Sequence, residues 1–237
     1  MLTKRRLMQT AGAAVAGMGL AGCGGPGGGV AHLRFKVIAR ARLDGKDYEG
    51  FAVNEMKASY TPNSLTRMMM GRTLKMEATV VDFGGKADAL FILLQDYLVI
   101  IGLLWGIPVA GDADETTIGL LRAASGAREY PRKNPGIRTL DQSYPKIAAF
   151  RDEADPASVY EVDPDNLAKT HGSGAKFLGL SIEIVDPKTP LTEAIEHRLS
   201  WLGNFENETL REPSKWPEDL SAPLGQRIIG RDFKEGE

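Results

Sequence analysis

The sequence predicts an α+β fold, a single domain with a mainly antiparallel sheet and a few short packed helices. Three observations carry that expectation. Residues 32–43 alternate apolar and basic side chains at the two-residue period of a half-buried strand. Asp44-Gly45 follows at once, a dipeptide suited to a tight hairpin. Strand-like runs precede the mixed helices and strands of the later chain, an order that favours antiparallel pairing.

In the first strand Leu33, Phe35, Val37, Ala39 and Ala41 share one face, and Arg34, Lys36, Arg40 and Arg42 fall largely on the other. Residues 48–60 form the return strand, which Tyr60-Thr61-Pro62-Asn63-Ser64 breaks. A third strand runs over 73–83, with Leu74, Met76, Ala78 and Val80 on one face. Gly84-Gly85 turns the chain into a fourth strand over 89–94. Asp114 caps a short helix that runs to Ser125 and closes at Gly126. Residues 126–145, with Pro131, Pro135, Gly136 and Pro145, read as a long loop.

The last third opens with a short strand over 159–162. Asp163-Pro164 places a cap before a first-turn proline and starts a helix that Gly172 ends. Residues 177–185 alternate again, with Leu178, Leu180, Ile182 and Ile184 inward. Thr189-Pro190 opens the strongest helical pattern, where Leu191, Ala194, Ile195, Leu199 and Leu202 make one stripe before Gly203. Residues 204–237 are polar, with prolines at 213, 217 and 223, and read as an extended tail docked through Trp216 and Ile228-Ile229.

The N-terminal segment carries an address. Lys4-Arg5-Arg6 is a basic n-region, and Thr10 to Leu20 is a short apolar h-region, too short to span a bilayer. Leu20-Ala21-Gly22-Cys23 then resembles the lipobox of bacterial lipoproteins at all four positions. That resemblance implies a diacylglyceryl group on the Cys23 sulfur, further acylation of the palmitate type, and cleavage before Cys23. Arg5-Arg6 also resembles a twin-arginine export signal, although Lys4 and Met8 depart from that pattern. Basic n-regions serve ordinary Sec signals as well, so both routes stay open.

The implied layout is a signal peptide over 1–22, a lipidated cysteine and glycine-rich tether over 23–31, a globular domain over 32–203 and the tail over 204–237. Acylation makes membrane attachment stable without a transmembrane helix. Gly24 replaces the aspartate that marks inner-membrane retention in enteric lipoproteins, so the resemblance favours the outer membrane over the inner, with the domain facing the periplasm.

Composition bounds the rest. The mature chain of about 215 residues is long enough for one real core. The formal charge of −2 becomes more negative once Lys4, Arg5 and Arg6 are removed, so nucleic acid is not an expected partner. Cys23 is the only cysteine, so packing and not an internal disulfide must hold the domain. Four segments, ARLDGKDYEGFAVNEM, DFGGKADALFILL, AFRDEADPASVYEVDPDNL and SIEIVDPKTPLTEAIEHRLSWL, resemble a group of uncharacterised proteobacterial proteins. The resemblance implies one domain and no particular chemistry, and residues 98–114 stand out as an insertion.

No catalytic residue, cofactor or metal is assigned. His32, His171 and His197 lack the spacing of a zinc site. His171-Gly172-Ser173-Gly174 misses the nucleophile elbow because glycine is needed where His171 stands, and a helix C-cap explains it. Asp152, Glu153, Asp155, Glu161, Asp163 and Asp165 are dense in oxygen ligands, yet they lack an EF-hand's spacing and are accounted for by turns and caps.

Two candidate interaction surfaces remain. One is the basic stripe of Arg34, Lys36, Arg40 and Arg42, expected to pair with acids such as Glu49 and Glu55 or else to meet anionic lipid headgroups. The other is the apolar run from Leu98 to Ile107 with Trp105, expected either as buried structure or as an exposed loop that touches lipid or a partner. The functional expectation is a membrane-anchored envelope lipoprotein, a non-enzymatic binding or scaffolding domain for an envelope protein or ligand not specified by sequence. The alternative is a lipid-anchored hydrolase with a dispersed active site.

Overall fold

A computed structural model describes residues 29–60, 71–109, 114–132, 144–210 and 224–236. Arg5, Arg6, Cys23 and Trp216 lie outside the described residues. The fold is α+β, one compact body with two antiparallel sheets and short helices.

The first sheet grows from a long hairpin, β1 (Gly29–Leu43) and β2 (Lys46–Tyr60), paired along its whole length. Asp44 and Gly45 both take positive φ, as a two-residue hairpin turn requires. β1 begins at Gly29, inside the stretch assigned by sequence to the tether, because Ala31 packs in the core and Val30 pairs with Ser59. β3 (Gly71–Glu77), β9 (Lys176–Val185), β6 (Gly126–Glu129) and β10 (Lys234–Glu235) complete the order β10-β3-β2-β1-β9-β6. β6 corrects the expected loop over 126–145: its backbone pairs with Glu183 and Ser181 although its side chains face solvent, so no apolar alternation announces it.

The second sheet has the order β4-β5-β7-β8, with β4 (Thr79–Val81), β5 (Leu90–Ile92), β7 (Ile147–Phe150) and β8 (Val159–Val162). The expected third strand is therefore two strands, split at Ala78, where the backbone leaves one sheet and joins the other. There the Ala78 N–H donates to Phe233 O at 2.7 Å. β4 crosses the hairpin over Gly50, where a Cβ would overlap the Val80 carbonyl. Thr79 Oγ1 donates to Val37 O across the same crossing. Ala39, paired with Gly50, and Ala52 keep this contact shallow.

β5 and β7 are buried on both faces, which explains their unbroken apolar runs. One face of the second sheet packs Leu90, Ile92, Ile147 and Ala149 toward the hairpin. The other packs Phe91, Phe150 and Val159 against Leu199, Trp201, Leu224, Ile228 and Phe233. The segment read as a polar tail from residue 204 is thus core at its described end. Apolar residues spaced singly among charges escape a periodicity reading but reach the core through 3₁₀ turns at Leu224–Gln226 and Gly230–Asp232.

Two expected helices shrink. Of residues 163–172 only α3 (Ala168–His171) is α-helical, because Asp163 accepts from the Asp165 N–H in a local turn. The expected helix over 190–202 is reduced to α4 (Ile195–Arg198) and a 3₁₀ turn at Leu202–Phe205. Thr192 hydrogen-bonds Val53 through both its amide and its hydroxyl, which holds the start of the segment extended along the β2 edge. Leu178 is exposed and not inward, because the register shift opposite Arg40 and Ala41 rotates that part of β9.

α1 (Tyr97–Trp105) and α2 (Glu115–Ala123) cover the rest of the hairpin's inner face, with Ile101, Ile118 and Leu121 in the core. Asp114 caps α2 as expected, through a reciprocal capping box with Thr117.

Candidate functional site

The basic stripe is built by alternation along β1, and its three arginines are answered by acids on β2. Arg34 stands opposite Glu55, Arg40 opposite Glu49, and Arg42 opposite Asp47. Arg34 donates to Glu55 Oε2 through Nε at 3.0 Å and Nη2 at 2.9 Å, and to Thr189 O through Nη1. Arg40 Nε meets Glu49 Oε2 at 3.0 Å, with Glu129 at 3.6 Å. Lys36 lies 4.2 Å from the Phe51 ring centroid.

Glu55 is the focus of this face. It is nearly buried, and burial alone would raise its pKa. Hydrogen bonds from His32 and Arg34 and the nearby charge of Lys57 outweigh that and hold it down to about 2. The stripe is therefore a lattice of ion pairs on a solvated sheet face. Its arginines are already matched by carboxylates, which agrees with the expected pairing to Glu49 and Glu55 and weakens the stripe as a headgroup surface.

The apolar run is a helix and not an exposed loop. Asp96 caps it by accepting from the Val99 N–H at 3.4 Å, and Gly106 ends it in the left-handed conformation. Leu98 is buried, so it cannot be part of an interaction surface. Trp105 is half-buried. Its Nε1 donates to Ser125 O at 2.9 Å, and the Arg128 guanidinium lies 5.5 Å from its ring centroid. The exposed apolar residue of α1 is Leu103, which the sequence does not single out because all its neighbours are equally apolar.

The structure also assembles polar groups that the sequence leaves scattered. Asp88 Oδ2 accepts from Tyr160 OH at 2.7 Å and Arg151 Nη1 at 3.0 Å, and Arg151 stacks on the Tyr160 ring. His171 Nε2 lies 2.9 Å from Asp88 O, and its Nδ1 lies 2.8 Å from Thr170 Oγ1. The carbonyl assigns the ring proton to Nε2, so the threonine hydroxyl donates to Nδ1. Burial lowers the His171 pKa, against the nearby Asp88. Both ring nitrogens and the Asp88 carboxylate are thus engaged, and the cluster pins α3 to the turn before β5. Gly172 caps α3, as expected. His32 belongs to the Glu55 lattice and His197 is exposed.

The acids of 152–165 serve local structure. Asp152 accepts from the Ala154 N–H and Asp155 from the Ala157 N–H, each at 2.9 Å, while Glu153 forks onto Arg198. Among the described residues no three His, Cys, Asp or Glu side chains converge to hold a metal. A depression of about 180 Å³ lies beside Arg72, Asp96, Leu98 and Arg231, and a larger one of about 320 Å³, at the lower end of small-molecule pockets, lies beside Glu196, Leu202, Glu206 and Lys234. No protein family, curated protein or solved structure matches the chain. No described helix is long and apolar enough to cross a membrane.

Proposed function

We propose that this chain is a lipid-anchored protein of the bacterial cell envelope, facing the periplasm, whose folded body is a non-enzymatic binding or scaffolding module at the membrane surface. The observation that carries the reading is the complete lipobox ending at Cys23, six positions before the first strand residue, Gly29. So few residues reach about 20 Å at full extension, which keeps the body beside the lipid. Gly24 after the cysteine favours the outer membrane.

The described polar groups support a binding module over a hydrolase. A hydrolase needs a nucleophile and a base beside a cleft. Thr170 and His171 form a hydroxyl–imidazole contact, but His171 is buried and spends its second nitrogen on a backbone carbonyl. The test is Cys23→Ser in the native envelope. It should abolish incorporation of labelled palmitate and release the chain from lipid-modified processing. Continued acylation of the variant overturns the reading.

A further inference from the structure

We propose that the outer face of the α1–α2 layer is a membrane-docking surface that lies in the headgroup region of the bilayer. The proposal rests on the lipid-anchor reading and adds the face that meets the membrane.

No charged residue occurs from Tyr97 to Val109. A helix that is apolar all round is ordinarily enclosed on every side. α1 is not. Its inward side chains Leu98 and Ile101 are buried, but Leu103 keeps 41% of its surface exposed and Gly106 is exposed beside it. α2 carries a second exposed apolar side chain, Leu120, also 41% exposed, with Gly119 and Ala123 exposed on the same helix. Two hydrogen bonds tie the ends of the helices to one another: Thr117 Oγ1 of α2 donates to Pro108 O, just past α1, at 3.0 Å, and Trp105 Nε1 at the end of α1 donates to Ser125 O, just past α2.

The anchor points to the occupant. β1 enters the fold directly beneath α2: a Cβ on Gly29 would stand 3.0 Å from Ile118 Cγ2. Arg122 of α2 donates from Nε to Val30 O at 2.8 Å. The six positions from Cys23 to Gly29 cover at most about 20 Å, so α2 belongs to the membrane-proximal pole. Arg128 lies over the Trp105 ring and Arg122 reaches Val30 O, and neither meets a carboxylate among the described residues. Trp105 at the helix end, with the Arg128 guanidinium over its ring, is the aromatic and basic pairing of an interfacial surface. The outer face of the hairpin sheet contrasts with it, since its arginines are matched by acids.

The test reads lipid contact directly. Acylation consumes the thiol of Cys23, the sole cysteine, so Leu103→Cys gives one labelling position in the acylated full chain. The protein, labelled with an environment-sensitive fluorophore, is reconstituted into vesicles of phosphatidylethanolamine and phosphatidylglycerol carrying spin-labelled acyl chains. The label at 103 should be strongly quenched, and a label at Lys86→Cys, exposed beside the Gly84-Gly85 turn, should not. Adding Leu120→Asp should lower the docked-to-undocked ratio roughly tenfold without changing the melting temperature.

Equal aqueous behaviour at 103 and 86 overturns the docking face. So does a shielded but unquenched 103 label, which marks contact with protein instead, including a second copy. The mass of the same preparation reads the anchor separately. An acylated chain with an aqueous 103 label sinks docking and leaves the anchor standing. An unacylated chain sinks the anchor, and the 103-to-86 contrast repeated with Cys23→Ser still decides docking.

Discussion

Glu55 and His171 show two ways in which this chain tolerates a titratable group away from water. Glu55 keeps its charge because His32, Arg34 and Lys57 surround it on the sheet face. His171 gives up its charge, since burial lowers its pKa and both ring nitrogens are bonded. A histidine with a depressed folded pKa binds fewer protons than the unfolded chain, so stability rises with pH through that window. The protein should therefore lose stability as pH falls from about 7 toward 5, starting near the unfolded histidine value of about 6.5. His171→Gln, which can still donate to Asp88 O, should flatten that slope. Urea midpoints across the window check it, and an unchanged slope would assign the loss to other groups.

At the scale of elements, the segment Thr189 to Gly203 is the most instructive. Its apolar stripe reads as a helix, and the stripe does face the core: Ile195, Leu199 and Leu202 are buried. What sequence cannot supply is the competition for its backbone. Val53 on the β2 edge captures Thr192, and the Glu77 carboxylate accepts from the Ala194 and Ile195 N–H groups at 3.3 and 3.2 Å. Long-range partners override the local pattern. Leu199→Ala should cost about 2–5 kcal/mol despite the missing helix, because the side chain is fully enclosed. A denaturant titration showing only a few tenths would mean the site is peripheral.

Other elements divide along the same line between local and long-range signals. The hairpin was legible in the sequence, since alternation and a tight turn are local signals. β6, β7 and β10 were not: β6 has no buried side chain, β7 is buried on both faces, and β10 is two residues long. Of the candidate surfaces, the stripe's pairing followed from strand register, whereas exposure at Leu103 depends on how α1 lies on the sheet.

The described body stacks three layers: the hairpin sheet, the second sheet with α1 and α2 beside it, and the C-terminal segment. Phe233 ties the last two together. It is fully buried, packs on Phe91, Phe150 and Trp201, and its carbonyl accepts from Ala78 at the point where the chain changes sheets. Phe233→Ala should cost about 3–5 kcal/mol, a loss expected of a core aromatic and not of a tail. Thermal melting decides it, and a near-native midpoint would restore the peripheral reading of the C-terminus.

One consequence of the sheet order concerns the order of synthesis. β1 is made first, yet its second edge is covered only by β9, and the outer edge of β3 only by β10. The hairpin can close as soon as Tyr60 is available, but it then presents open backbone on both sides while most of the chain is still to come. Such edges template pairing with other chains, and non-local closure is slow. A growing chain of this kind spends its most vulnerable interval half-zipped, until β9 and β10 arrive to cover the open edges.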